Sequence, residues 1–144
     1  MEMTYSSIIL FLALPFFLAG CNKDSTNTSN SIEGSWELVR ISGSRPIINY
    51  PAGNGNVLKF TNSTYEAFEN GSLEKRGTYT IVEDNTVETN VCLDLPDDQF
   101  RDRIIYDNDN RATKSFLQIS NDTLSFISGC FAVDAGSRTE YVRK

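Results

Sequence analysis

The side chains that most enzymes use for acid–base and nucleophilic chemistry are poorly represented in this chain. The sequence contains three cysteines and no histidine. Without histidine, neither a Ser-His nor a Cys-His nucleophile can be built, and imidazole ligands for a metal are excluded. We therefore expect that the protein is not an enzyme and that it has no catalytic residue, no metal site and no cofactor.

Four carboxylates, those of Asp94, Asp97, Asp98 and Asp102, surround Pro96 and form the best candidate for an acid–base pair. Glycosidases work with two carboxyl groups, one of which needs a raised pKa. Burial in apolar surroundings is the usual way to raise it. This segment has little apolar sequence to enclose it, so we interpret it as a solvated loop.

A second acidic run, Asp-Asn-Asp-Asn at 107–110, has the spacing with which an EF-hand calcium loop begins. That loop needs Gly at its sixth position and Glu at its twelfth. Ala112 and Gln118 occupy those positions here. We therefore interpret the run as a turn between two strands and not as a metal site.

The first of the three cysteines, Cys21, follows a segment typical of an export signal. Residues 8–18 are an almost uninterrupted apolar run. The run is shorter than the roughly 20 residues of a membrane-spanning helix but suits the core of a signal peptide. It ends in Leu-Ala-Gly-Cys at 18–21, which resembles the bacterial lipobox, whose cysteine thiol accepts a lipid. We predict a lipoprotein signal peptide over 1–20 and an anchor on Cys21 that includes palmitate.

The composition after Cys21 predicts a tether followed by one domain. Residues 22–31 contain no apolar side chain, so 21–31 is interpreted as a flexible tether and 32–144 as the folded domain. The net charge of −6 disfavours nucleic acid and anionic head groups as partners. We expect a monomer in the cell envelope, held by its lipid in the outer membrane of a Gram-negative bacterium.

Cys92 and Cys130 remain once Cys21 carries a lipid. Disulfides persist in exported proteins, and an even number of cysteines favours a bridge. Such a bridge would stabilise the domain by roughly 4 kcal/mol through loop closure. The alternative is a pair of buried free thiols that behave as small hydrophobic side chains.

Turn-forming residues punctuate the chain after Ile32 at short intervals, and the runs between them are rich in β-branched and aromatic residues. We predict strands at 35–41, 57–61, 64–69, 75–82, 86–93, 102–106, 115–120, 123–128 and 138–143. No stretch has a 3.6-residue apolar period of helix length, so we expect no substantial helix. The fold class is therefore all-β, a small antiparallel up-and-down barrel of about eight or nine strands.

The first strand opens with Gly34 and Trp36, a pair that resembles the lipocalin signature. The chain is most similar to the short lipocalin-like lipoprotein domains of Gram-negative bacteria. Their Gly-x-Tyr and Asp-Thr-Leu strands have counterparts at 77–79 and 122–124. The resemblance implies a barrel whose closed end is crossed by Trp36, with Arg143 packed over it as a cation–π contact. Residues 36–43 are similar, more weakly, to META domains.

The resemblance implies a lipid-anchored binding protein for a small hydrophobic ligand. The alternatives are a protein–protein inhibitor, like the periplasmic lysozyme inhibitors, or a structural envelope protein with a solid core. An inhibitor would use an exposed loop, and the longest non-strand segment, 43–56, offers Arg45, Ile47, Ile48 and Tyr50 as a partner loop. An open cavity lined by aromatic residues would favour ligand binding, whereas a solid core would favour inhibition.

Overall fold

The structure is a computed structural model that describes residues 31–144. Cys21 and the signal peptide predicted over 1–20 lie outside the described residues, as does the predicted tether except for Ser31. The elements in chain order are β1 (Gly34–Gly43), β2 (Ile48–Asn49), β3 (Val57–Thr61), β4 (Thr64–Glu69), β5 (Ser72–Glu83), α1 (Val87–Val91), β6 (Asp102–Tyr106), β7 (Ser115–Ser120), β8 (Thr123–Ser128), a 3-10 turn (Phe131–Val133) and β9 (Ser137–Arg143).

The strands form a closed antiparallel barrel, which confirms the predicted fold class. Strands β1 and β3 to β9 pair in chain order, and β9 pairs back with β1 to close the cylinder. The closing register aligns Trp36 with Arg143 and Leu38 with Tyr141, with a bulge in β1 before Arg40. Because the cylinder is closed, its eight strands leave no long unpaired edge.

Two-residue turns close several hairpins, and their residues explain the registers. Asn70 and Gly71 connect β4 to β5 with φ angles of 51° and 83°. A type I′ turn needs positive φ at both positions, which Asn and Gly tolerate best. The β3–β4 and β7–β8 turns likewise begin with an asparagine at positive φ, Asn62 and Asn121.

One of the predicted strands, 86–93, is wrong, because this segment contains helix α1. The i, i+4 spacing of Val87 and Val91 places both side chains on one helical face, and both are buried. The β-branched residues that suggested a strand therefore serve as one apolar stripe. Among residues 31–144, no helix is long and apolar enough to cross a bilayer.

The ninth strand is instead β2, which lies inside the 43–56 segment that the sequence analysis treated as non-strand. Its two residues pair with Arg40 and Ile41 at the edge of β1. Two pairs are too few to read from a sequence, since isolated short pairings depend on the rest of the sheet.

The barrel interior is one hydrophobic cluster. Its buried members are Ile32, Trp36, Phe60, Tyr65, Tyr79, Ile104, Leu117, Leu124 and Phe126. Except for Ile32, which precedes β1, they come from alternate positions of the strands, so that one face of each strand lines the interior. The side chains of Trp36, Phe60 and Leu124 are fully buried and fill the half of the barrel where β1 begins.

A second cluster covers the outside of β7 and β8. Phe116 and Ile127 are cross-strand partners whose neighbours Leu117 and Phe126 face the interior. They are buried with Val87, Val91 and Phe100 from the connection between β5 and β6. This cover explains why β7 and β8 contain adjacent apolar residues, where a strand with a solvated face would alternate.

The disulfide between Cys92 and Cys130 fixes this outer cover, and the predicted bridge is confirmed. The two Cα atoms are 5.1 Å apart and the bond closes a loop with a sequence separation of 38. Cys92 caps α1, and Cys130 directly precedes the 3-10 turn. The bridge therefore joins the β5–β6 connection to the β8–β9 connection across the outer cluster.

Candidate binding site at the open end of the barrel

The two ends of the barrel differ in their connections. At one end lie the tight β3–β4 and β7–β8 turns and the β5–β6 connection over 84–101, together with Ser31 and Lys144; we call it the closed end. At the other end lie four connections, 44–56, 70–71, 107–114 and 129–136; we call it the open end. The side chains that face the interior at the open end are the candidates for ligand contact, since barrel cavities open at a mouth.

The closed end is sealed by the predicted contact between Trp36 and Arg143. The guanidinium carbon of Arg143 lies 4.1 Å from the centroid of the indole. Its two terminal nitrogens donate to the carbonyls of Glu33 at 2.8 Å and Ser31 at 3.0 Å. The indole N–H donates to the carbonyl of Ile32 at 2.7 Å. These hydrogen bonds hold the segment before β1 across this end of the barrel.

Gly34 is required by the same arrangement. Its φ of +125° is a conformation that side-chain-bearing residues rarely adopt, and a Cβ here would lie 2.9 Å from a terminal nitrogen of Arg143. The Gly-x-Trp pair and Arg143 therefore form one structural unit at the closed end, away from the mouth.

The open end contains a cavity of about 310 Å³, which we call the inner cavity. Its lining residues are Leu58, Tyr65, Lys75, Tyr106, Ser115, Phe126, Ser128, Thr139 and Tyr141. Apolar and aromatic surface combined with a few polar groups is typical of small-molecule sites, and the volume falls at the lower end of their range of roughly 300–1,000 Å³.

The aromatic side chains of the inner cavity are arranged in edge-to-face pairs. The rings of Tyr65 and Tyr106 are 4.7 Å apart, and those of Phe126 and Tyr141 are 5.9 Å apart. Burial raises the pKa of Tyr141 to about 12, and Tyr50 nearby contributes. Burial also raises the pKa of Tyr106 above its ordinary value. Both phenols therefore stay protonated at every physiological pH.

The hydroxyl groups of Tyr106 and Tyr141 are polar groups that the protein itself does not use. Within the described part of the chain, neither hydroxyl has a hydrogen-bond partner. Both residues line the inner cavity. Each hydroxyl can donate one hydrogen bond and accept others. They are therefore available to a molecule in the cavity.

Asp107 organises one wall of the inner cavity. Its carboxylate accepts hydrogen bonds from the backbone N–H of Thr78 at 2.9 Å and from the Tyr65 hydroxyl at 3.1 Å. The Lys75 ammonium lies 3.1 Å from the same carboxylate. The Thr78 hydrogen bond, and then Lys75, lower the pKa of Asp107. A side chain at Gly77 would collide with Asp107, so the glycine is needed here.

A wider cavity of about 540 Å³, the vestibule, adjoins the inner cavity and shares Leu58 and Tyr141 with it. The other residues that line the vestibule are Leu38, Ile41, Tyr50, Asn56, Val57, Ala67, Phe68, Glu69, Asn70 and Glu74. Sequence reasoning missed this set and the inner cavity, because which residues meet at the mouth depends on the strand registers.

The predicted partner loop divides into two parts. Ile47 and Ile48 have 55% and 48% of their surface exposed, and Arg45 is exposed as well. Tyr50, in contrast, lines the vestibule and donates its backbone N–H to the carbonyl of Val39 at 2.9 Å. Tyr50 therefore belongs to the mouth and not to the exposed loop.

Glu37 holds the rest of this loop in place. It lies on the outer face of β1, yet only 8% of its side chain is exposed, because residues 53–55 cover it. The backbone N–H of Gly53 donates to it at 2.9 Å, and the Lys144 ammonium lies 3.3 Å away. The Gly53 hydrogen bond is the main reason that the pKa of Glu37 is lowered. One wall of the vestibule is thus anchored by a charged group.

The acidic residues that the sequence analysis considered lie elsewhere. Asp94, Asp97, Asp98 and Asp102 are exposed, as expected of a solvated loop. Asp98 and Asp102 line a separate cavity of about 500 Å³ beside β5 and β7. Its only arginine, Arg101, already pairs with Asp98 and Glu83 at 2.8 and 3.2 Å. Its one cation is therefore already neutralised, and the rest of its lining consists of carboxylates, Gln118 and apolar residues.

The run at 107–110 forms the turn that the sequence predicts, and its first carboxylate is used by the Asp107 network. Across residues 31–144, no group of three or more His, Cys, Asp or Glu side chains is placed to hold a metal ion. In comparisons with protein-family models, curated proteins and solved structures, no match to this chain was found.

Proposed function

We propose that the protein is a lipid-anchored binding protein of the cell envelope, whose barrel holds a small hydrophobic ligand at its open end. The observation that carries the proposal is the inner cavity of about 310 Å³, lined by Tyr65, Tyr106, Phe126 and Tyr141. The closed end is sealed by Trp36. A barrel that is packed at one end and open at the other can enclose one small molecule.

The sequence supports the anchor. The apolar run at 8–18 followed by Leu-Ala-Gly-Cys at 18–21 is the pattern from which export and lipidation of Cys21 are inferred. An anchor with several acyl chains is effectively stable, since each buried methylene contributes about 0.8 kcal/mol. Labelling cells with a palmitate analogue should mark the wild-type protein but not the Cys21→Ser variant. Absence of label on the wild-type protein would overturn this part.

Ligand binding can be tested without knowing the ligand. The protein purified from cells is examined by native mass spectrometry, with denatured protein as the control. A carrier should retain a bound molecule, because a ligand that is largely buried dissociates slowly. Ligand-free protein, together with no saturable binding of fatty acids, sterols or haem, would overturn the carrier function.

A protein–protein inhibitor remains the second candidate, because Ile47 and Ile48 are exposed on the 43–56 segment. A few apolar residues can dominate the affinity of such a contact. The double variant Ile47→Ser with Ile48→Ser should leave a carrier's ligand in place but destroy an inhibitor's contact. The matched substitution Tyr50→Ser, in the vestibule, should weaken ligand binding instead.

A further inference from the structure

The inner cavity is more selective than an apolar recess, because most of its polar groups are hydroxyls, each of which can donate one hydrogen bond to a ligand. The Tyr106 and Tyr141 hydroxyls face it without a protein partner within residues 31–144, and the hydroxyls of Ser115, Ser128 and Thr139 also line it. Neither hydroxyl is a buried unpaired atom, so water can bind it until a ligand displaces the water, and a ligand that cannot replace the lost hydrogen bond binds less tightly. A pure hydrocarbon cannot replace it.

The charges around the cavity disfavour an ionised ligand. Lys75 is the only cationic side chain in the lining, and its ammonium is neutralised by Asp107 at 3.1 Å. The vestibule that adjoins it is lined by Glu69 and Glu74. An anion would approach these two carboxylates and find no uncompensated positive charge inside. A cation would lie beside the Lys75 ammonium.

We infer that the ligand of the inner cavity is an uncharged, ring-containing molecule with an oxygen acceptor, such as a ketone, which accepts hydrogen bonds from Tyr106 and Tyr141. This inference rests on the proposed ligand-binding function and names its ligand class. The ring packs among Tyr65, Phe126 and Leu58, since aromatic surfaces prefer offset or edge-to-face contact. The tyrosine hydroxyls select the acceptor.

A matched series of naphthalene derivatives tests the inference. Acetylnaphthalene carries a neutral ketone, ethylnaphthalene is the hydrocarbon of the same shape, naphthoate is an anion and naphthylmethylammonium is a cation. Affinities of the purified full-length protein for each are measured by ligand-detected nuclear magnetic resonance. We expect the ketone to bind about tenfold more tightly than the hydrocarbon, a difference of about 1.4 kcal/mol, and both ions to bind more weakly than the ketone.

Variants assign the preference to the two hydroxyls. The double variant Tyr106→Phe with Tyr141→Phe keeps both rings and should abolish the preference for the ketone. Tyr79→Phe is the matched control, because the Tyr79 hydroxyl donates to the carbonyl of Asn62 at 2.6 Å and does not line the cavity. The control should retain the tenfold preference.

The outcomes separate this inference from the proposed function. If all four probes fail to bind, the ligand class is wrong, and the ligand-binding function is overturned as well only if the protein also carries no ligand and binds no fatty acid, sterol or haem. If the hydrocarbon binds as tightly as the ketone, or if an ion binds most tightly, only the ligand class is wrong. The ligand class is also wrong if the double variant keeps the wild-type preference for the ketone.

Discussion

The closed and open ends of the barrel are made of the same eight strands, but they differ in whether their polar side chains are hydrogen-bonded to the protein. At the closed end the Trp36 indole and the Arg143 guanidinium both donate to backbone carbonyls, and the guanidinium stacks on the indole. At the open end, within the described residues, the Tyr106 and Tyr141 hydroxyls have no protein partner. Neither hydroxyl is a buried unpaired atom, so water can occupy these hydrogen bonds until a ligand displaces it. Stability is thus concentrated at one end, and the other end is left able to accept a ligand.

Removing the indole at the closed end should have the largest effect. Trp36→Ala is expected to lower the free energy of unfolding by about 4–5 kcal/mol, because the side chain is fully buried and leaves a large cavity. Urea denaturation followed by circular dichroism measures the loss. The matched truncation at the open end, Tyr50→Ala, should cost less than half as much. Equal losses at the two ends would contradict the comparison.

Removing the disulfide outside the barrel should have the second-largest effect on stability. Replacing both Cys92 and Cys130 by serine is expected to lower the free energy of unfolding by up to roughly 4 kcal/mol, through the loop that the bridge closes. The difference between variant and wild type should disappear when both are measured under reducing conditions. Iodoacetamide should label neither cysteine in oxidised protein after denaturation, and labelling of both would show that the bridge is absent in solution.

The cation over the indole should contribute less. Arg143→Met keeps most of the apolar side chain but removes two hydrogen bonds and the cation–π contact, so we expect a loss of about 1–3 kcal/mol. Arg143→Lys keeps the charge and should recover part of it. At the open end, Lys75→Met removes an exposed ion pair and should cost under about 1 kcal/mol. If Lys75→Met lowered the free energy of unfolding more than Arg143→Met, the idea that the closed end contributes more to stability would be wrong.

Asp84 begins the β5–β6 connection and pairs with Lys114, next to β7, and its effect on stability should depend on pH. It accepts a hydrogen bond from Lys114 at 2.8 Å and is hydrogen-bonded to Thr86; these contacts lower its pKa to about 2. Because the pKa is lowered in the folded state, the stabilisation is present above about pH 4 and is lost as the pH falls toward 2. We expect a contribution on the order of 1–2 kcal/mol. Asp84→Asn should remove that part of the acid dependence in urea titrations, whereas an unchanged pH profile would contradict it.

Removing the free hydroxyls should have the smallest effect on stability. Tyr106→Phe and Tyr141→Phe delete groups that bind no other residue within the described chain, so the free energy of unfolding should stay constant or rise by up to about 1 kcal/mol. Tyr65→Phe loses the hydrogen bond to Asp107 and should cost about 0.5–1.5 kcal/mol. Losses above that range for Tyr106 or Tyr141 would show that their hydroxyls serve the fold.

At the closed end, local rules predict the turns, and the lipocalin resemblance predicts the contact between Trp36 and Arg143. A glycine two residues before a tryptophan, an arginine in the last strand and asparagines at tight turns each act over a few residues or through one specific contact. The paired cysteines follow from the export pattern and from their even number. The turns and the cysteine pair can be predicted without the strand registers, whereas the contact between Trp36 and Arg143 depends on the pairing of β1 with β9. The same rules fail at 86–93, because Val87 and Val91 fit either an alternating strand or one turn of a helical stripe.

The open end could not be predicted in the same way. Tyr65, Tyr106 and Tyr141 come from three strands that are far apart in the sequence, and they meet only because of the registers of the closed barrel. A shift of one residue in any strand would turn its tyrosine to the outer face. The sequence contained one weak sign of the open end. Lys75 occupies an inward-facing position of β5, opposite Ala67. A charged residue at such a position marks a mouth, since solid cores exclude it.

The position of the two termini of the described domain has a consequence for orientation. Ser31 is held by Arg143, and the backbone N–H of Lys144 donates to the carbonyl of Ser35 at 2.9 Å. Any segment that precedes or follows the described residues therefore departs from one pole of the molecule, while the cavity faces the opposite pole. A barrel fixed to a bilayer, a bead or a sensor chip through either terminus presents its mouth outward. Molecules would then enter and leave on the side that faces the surrounding solution, without the support obstructing them.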